Sequence, residues 1–204
     1  MMIDCKILQE RGGWWEDILT KRCTFPIAPF NTFSNLAYVL AGILIYVLKP
    51  NLASAVMALA LMFLGVGSAL YHGTKQGWAS KLDNAGMYAV FSALVTYSLS
   101  PTNPYIGSLM AFVATIVAWR LAYQPNTKNL LNPMMGVFIA ISTLSVGLNG
   151  SLKYALISFG LFGVAYIIWW TDKKHMFWVP RLGHALWHVL TAIAMAGLFL
   201  GALF

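Results

Sequence analysis

Apolar residues fall into long blocks separated by short polar stretches. Seven such blocks cover roughly residues 31–48, 53–72, 83–99, 104–123, 131–148, 152–170 and 183–204. A helix rising 1.5 Å per residue crosses a hydrocarbon core of ~30 Å in about 20 residues. Each block therefore predicts a transmembrane helix, and the chain reads as an all-α integral membrane protein of seven transmembrane helices. Residues 1–30 are polar and aromatic and form an N-terminal cytoplasmic or interfacial segment ahead of a single helical domain, 31–204. No repeat, low-complexity tract or linker divides that domain, and no small-residue cleavage pattern follows the first block, so no signal peptide is expected. Pro101, Pro104, Pro125 and Pro133 mark loops and helix starts. Gly65 and Gly67 predict close helix packing. Trp14, Trp15, Trp169, Trp170 and Trp178 predict interfacial anchors.

Composition sharpens this picture. Of 204 residues, 59% are hydrophobic and 9% charged, against roughly 25% charged in soluble domains. The formal net charge of +7 does not mark a nucleic-acid surface, because topology segregates the cations. Lys6, Arg11, Lys21, Arg22, Lys75, Lys81, Arg120, Lys128, Lys173, Lys174 and Arg181 share one side of a seven-span chain, and only Lys49 and Lys153 stand on the other. The positive-inside rule then puts the N-terminus in the cytoplasm and the C-terminus outside. Cys5 and Cys23 have no metal-ligand spacing and read as free thiols in that compartment.

Chemistry enters through the polar residues at the block ends. Three of the four histidines stand there: His72 closes the second block, and His184 and His188 open the last. Asp83 opens the third. Ionisable groups at membrane depth are expensive and point to a functional site. By the topology above, all four meet at the cytoplasmic rim. An i, i+4 histidine pair projects from one helix face and can chelate one ion. Adding His72 gives three protein ligands and leaves a fourth zinc position for water, the catalytic pattern. Ser68, one turn before His72, can point its hydroxyl at the metal, and Asp83 can take a proton from water or orient a ligand. Taken singly, Ser68 could bond its own helix carbonyl and Asp83 could cap a helix. His175, in a polar loop, reads as an interfacial residue. Asn31, Ser34 and Asn35 offer more polar groups than a helix cap needs, and they stand on the same rim, where they can support the ligands from behind.

These residues, Ser68-x-x-x-His72, Asp83 and His184-x-x-x-His188 over seven helices, resemble the CREST superfamily of membrane hydrolases. That group includes the alkaline ceramidases, the adiponectin-and-progestin-type receptors with their haemolysin-III-like relatives, and hydrolases that remodel lipid on GPI anchors. The stretch from Asn31 to Leu36 is similar to the Asn-Thr-x-Ser-Asn-Leu opening of the alkaline ceramidases. The segments 68–74 and 184–191 are similar to that family's second and seventh helices. The compact chain resembles a bacterial member, for which the inner membrane is the expected location.

The resemblance implies zinc on His72, His184 and His188, water activation by Asp83, and stabilisation of the reacting oxygen by Ser68. It implies a zinc-dependent lipid amide hydrolase acting on an N-acyl membrane lipid such as ceramide, with no nucleic acid and no obligate protein partner. Eukaryotic relatives carry a calcium site before the first helix. Here the corresponding stretch offers Trp14, Trp15, Glu16 and Asp17, and Ile27, Ala28 and Pro29 stand where a further acid is expected, which argues against calcium. Two other classes stay open: a receptor-like or regulatory protein with structural zinc, and a lipid ester hydrolase. A retinal-type pump is excluded, since residues 183–204 hold no lysine. A transporter would show paired broken helices, and none are visible.

Overall fold

The computed structural model describes Glu16 and residues 24–99, 103–121 and 128–203. Eight helices make up the described chain: α1 (Pro29–Phe33), α2 (Leu36–Leu48), α3 (Leu52–Thr74), α4 (Gly77–Leu99), α5 (Pro104–Leu121), α6 (Lys128–Asn149), α7 (Leu152–Lys173) and α8 (Gly183–Ala202). The first is a five-residue lead-in to α2, so seven long helices match the seven apolar blocks, and no strand occurs among the described residues. Among the described residues, four spans are long and apolar enough to cross a membrane: Pro29–Leu48, Leu52–Thr74, Leu152–Lys173 and Gly183–Ala202. Cys5, Cys23, Trp14, Trp15, Asp17, Pro101 and Pro125 lie outside the described residues.

Three local features follow from residue chemistry. The break between α1 and α2 falls where Thr32 Oγ1, Ser34 Oγ and Asn35 Nδ2 bond back to carbonyls of Ala28, Asn31 and Asn31. Such side chains compete with the helix ladder and bend it. Helix α3 starts at an Asn51 cap whose side chain accepts the Ser54 amide at 2.9 Å. It ends at Lys75 in a left-handed conformation, φ 54°.

Helix boundaries differ from the sequence reading at two places. Helix α4 begins at Gly77, so Asp83 lies on its second turn and neither opens nor caps it. Pro133 falls inside α6, which begins at Lys128. In both cases the apolar block marks the hydrocarbon, while the helix continues beyond it into polar sequence.

Helices α2, α3, α4, α6, α7 and α8 pack on one another in a closed ring, and α5 packs outside it against α4 and α3. Helix α8 also reaches across to α1, α4 and α6. Leu61, Leu64, Val90, Leu94, Tyr97, Leu198 and Phe199 fill the interior. Leu40, Val47, Leu59, Phe112, Leu148 and Ile167 stand exposed on the outside, as lipid-facing side chains do. Because lipid is as apolar as leucine, helix association here rests on close packing of small residues. At the α3–α4 crossing, a methyl built on Gly67 would lie 3.0 Å from the Leu82 backbone and 3.1 Å from that of Asp83. The sequence reading of these glycines as packing residues holds, and the contact places Asp83 beside the residue after Gly67, Ser68.

Candidate metal centre

The last turn of α3 and the first two turns of α8 meet at one end of the bundle. His72, His184 and His188 are all buried there. Their ring centroids form a near-equilateral triangle, at 4.8 Å (72–184), 5.0 Å (72–188) and 4.5 Å (184–188). One ligand atom from each lies within 4.8 Å of the others. His72 Nε2 and His184 Nε2 are 3.2 Å apart. Two nitrogens of a tetrahedral zinc site, each 2.0–2.1 Å from the ion, sit about 3.3 Å apart. The donor set and its spacing therefore fit a metal ion.

Two of the outer nitrogens meet a side chain. His188 Nδ1 meets Ser34 Oγ at 2.7 Å, and Ser34 Oγ also reaches the Asn31 carbonyl at 3.2 Å. A hydroxyl has one proton. Given to the carbonyl, it leaves Ser34 to accept from His188 Nδ1–H, and His188 Nε2 then carries a lone pair. His72 Nδ1 meets Lys75 Nζ at 3.3 Å, and Lys75 lies 5.1 Å from the Tyr71 ring centroid. An ammonium only donates. A metal held through His72 Nε2 would leave that ring's proton on Nδ1, where Lys75 could no longer donate to it.

Asp83, partly buried on α4, is hydrogen-bonded by the Ser68 side chain. Ser68 is itself buried, one turn before His72. The five residues singled out for chemistry thus come together. Of the three expected to support them, Ser34 touches a histidine directly, and Asn31 and Asn35 lie buried behind it. His175 is exposed in the loop before α8.

Several contacts escape the sequence. Ile27 N and Ala28 N donate to the Gly73 and His72 carbonyls at 3.1 and 3.3 Å, so residues 27–28 strap the helix end that carries His72 and satisfy its orphan carbonyls. The Glu16 carboxylate accepts the Phe30 and Asn31 amides at 2.7 and 2.8 Å. Tyr38 Oη meets Thr191 Oγ1 at 2.6 Å, clamping α2 to α8, with the Tyr38 ring 6.1 Å from that of His188. Asp172 is buried against Gly183 at the start of α8. Thr191 had a signal, since 184, 188 and 191 form one helical stripe. The others join positions too far apart in sequence for any local pattern.

Compared one by one, no individual curated protein matches the chain. The family described as Ceramidase matches residues 24–203, which takes in the strap, all seven long helices, the three histidines, Ser68 and Asp83; the chain belongs to that family.

Proposed function

We propose that this protein is a zinc-dependent lipid amide hydrolase. It splits an N-acyl membrane lipid such as ceramide into a fatty acid and an amine. One observation carries the reading: three buried histidines converge on one point, one turn from a serine whose side chain bonds Asp83, in a chain of the ceramidase family. His72, His184 and His188 would hold the zinc, which supplies Lewis acidity and makes water nucleophilic near neutral pH.

The chain's own groups do the rest. His188 keeps its proton on Nδ1 by bonding to Ser34 and offers Nε2 inward. Asp83 takes a proton from the attacking water on a carboxylate oxygen and returns it to the leaving nitrogen as the C–N bond breaks. Ser68 donates its hydroxyl proton to Asp83 and so fixes the carboxylate's direction; once Asp83 is protonated, that hydroxyl is released to donate to the reacting carbonyl oxygen. The buried setting limits water, and the lipid-facing exteriors of the helices let an acyl chain approach from the bilayer. The charge asymmetry of the loops supports a location of this end of the bundle at the cytoplasmic face.

The test is fatty-acid release, read by mass spectrometry, from ceramide, other N-acyl lipids and matched esters. Zinc-loaded wild type releases fatty acid from an amide. Asp83→Asn keeps its zinc and loses about 10²–10⁴-fold in turnover, and His184→Ala loses the metal. Wild type that holds zinc and releases nothing refutes the hydrolase, and release from esters alone refutes the amidase.

A further inference from the structure

Glu16 lies far from the histidines in sequence, yet it is buried. Both its oxygens are used: Oε1 accepts the Phe30 amide at 2.7 Å and Oε2 the Asn31 amide at 2.8 Å. These are amides of α1 that the helix itself leaves without partners. Charge-assisted hydrogen bonds of this kind are roughly twice as strong as neutral ones. The residue so held does further work. The Asn31 carbonyl accepts Ser34 Oγ at 3.2 Å and Asn35 Nδ2 at 2.6 Å. Ser34 Oγ in turn meets His188 Nδ1 at 2.7 Å. If the Asn31 carbonyl moves, the Ser34 proton is no longer committed to it. Ser34 can then donate to His188 Nδ1, and that ring's proton shifts to Nε2, where it blocks metal binding.

We propose that Glu16 is a positioning residue for the metal ligand His188. Through Asn31 and Ser34 it selects the tautomer of that ring. The inference rests on the metal reading above and adds a part to it: an anionic brace, supplied by the segment ahead of the bundle, that holds the ligand's outer hydrogen bond in place. With both oxygens on backbone amides, the carboxylate acts as a cap on the chain itself.

The test reads zinc retention and needs no substrate. Purified full-length wild type, Glu16→Ala, Glu16→Gln, Ser34→Ala and the Glu16→Ala/Ser34→Ala double variant are loaded with zinc and challenged with excess chelator. The rate of zinc loss is measured beside thermal unfolding. Removing the partner of a ligating histidine typically costs 10–100-fold in metal affinity or activity. Ser34→Ala and Glu16→Ala should each lose zinc about tenfold faster. The double variant should be no faster than Ser34→Ala, because one route carries both effects. Glu16→Gln, which keeps one acceptor oxygen, should fall between wild type and Glu16→Ala, and it gives the same comparison if the alanine variant does not fold. A purely structural role would make the two effects add, which overturns the proposal. So would zinc loss from Glu16→Ala and Glu16→Gln at the wild-type rate. Excess calcium that slows zinc loss from wild type but not from Glu16→Ala would make the carboxylate a cation ligand, and this too overturns it. A wild type that holds no zinc sinks the metal reading itself.

Discussion

Gly86→Ala separates the placement of the acid from the holding of the metal. A methyl on Gly86 would lie 2.6 Å from Leu64 Cα and 3.1 Å from Leu64 Cβ. Non-bonded carbons settle at about 3.5–4.0 Å, so α3 and α4 must part by roughly 1 Å. The obstacle is backbone, and no rotamer change relieves it. Asp83 lies one turn before Gly86 and moves with α4; Ser68 lies one turn after Leu64 and stays with α3. The Ser68–Asp83 hydrogen bond therefore stretches, while all three histidines remain on α3 and α8. Overpacking of this kind destabilises by about 1–3 kcal/mol. A 1 Å misplacement of a reacting group costs about 10²-fold in rate. The expected result is full zinc content, a lower thermal midpoint and about a hundredfold slower fatty-acid release. Gly160→Ala is the control: nothing lies within 4 Å of its added methyl. It should keep the wild-type rate and gain up to about 1 kcal/mol from helix propensity. A Gly86→Ala protein that turns over at the wild-type rate, or that loses zinc together with activity, would refute the reasoning.

Two other substitutions probe the start and flank of α8. Thr191 Oγ1 donates to the Trp187 and His188 carbonyls at 2.7 and 3.2 Å, so in the 2.6 Å contact with Tyr38 it is the phenol that donates. Tyr38→Phe should then lower stability by about 0.5–1.5 kcal/mol with zinc stoichiometry unchanged, and thermal unfolding with metal analysis checks both. A methyl on Gly183 would lie 2.6 Å from Asp172 Cβ. Gly183→Ala should displace the turn that carries His184 and speed zinc loss in the chelator challenge, whereas Gly163→Ala, with open space around it, should match wild type.

The seven helices were legible because hydrocarbon thickness sets block length. Their polar ends were not, since hydropathy stops at the membrane edge and the backbone ladder does not; this is why the apolar block starts at Asp83 while the helix begins at Gly77. The histidine cluster was legible because its spacing and its shared rim agree. Ser34 was visible as a polar residue in excess of capping needs, and the structure gives it a histidine to hold. Glu16 was visible only as one of two adjacent acids. Its partners are 14 and 15 residues away, and Tyr38 is 153 from Thr191. No local period encodes contacts made by the closing of a bundle.

What the fold adds is a division of labour. The three histidines sit on α3 and α8, and α8 is fixed by packing on α1, α2, α4, α6 and α7. The acid sits on α4, whose register against α3 depends on Gly67 and Gly86 coming close to the opposing backbone. The outer nitrogen of His188 depends on α1, and α1 on Glu16. Substitutions at the glycines should therefore reach turnover first, and substitutions at Glu16 or Ser34 should reach metal retention first. Ser68 is where the two systems meet. It rides on the helix that carries His72 and bonds to the carboxylate on α4, so under the proposed function it would keep the acid in register with the metal.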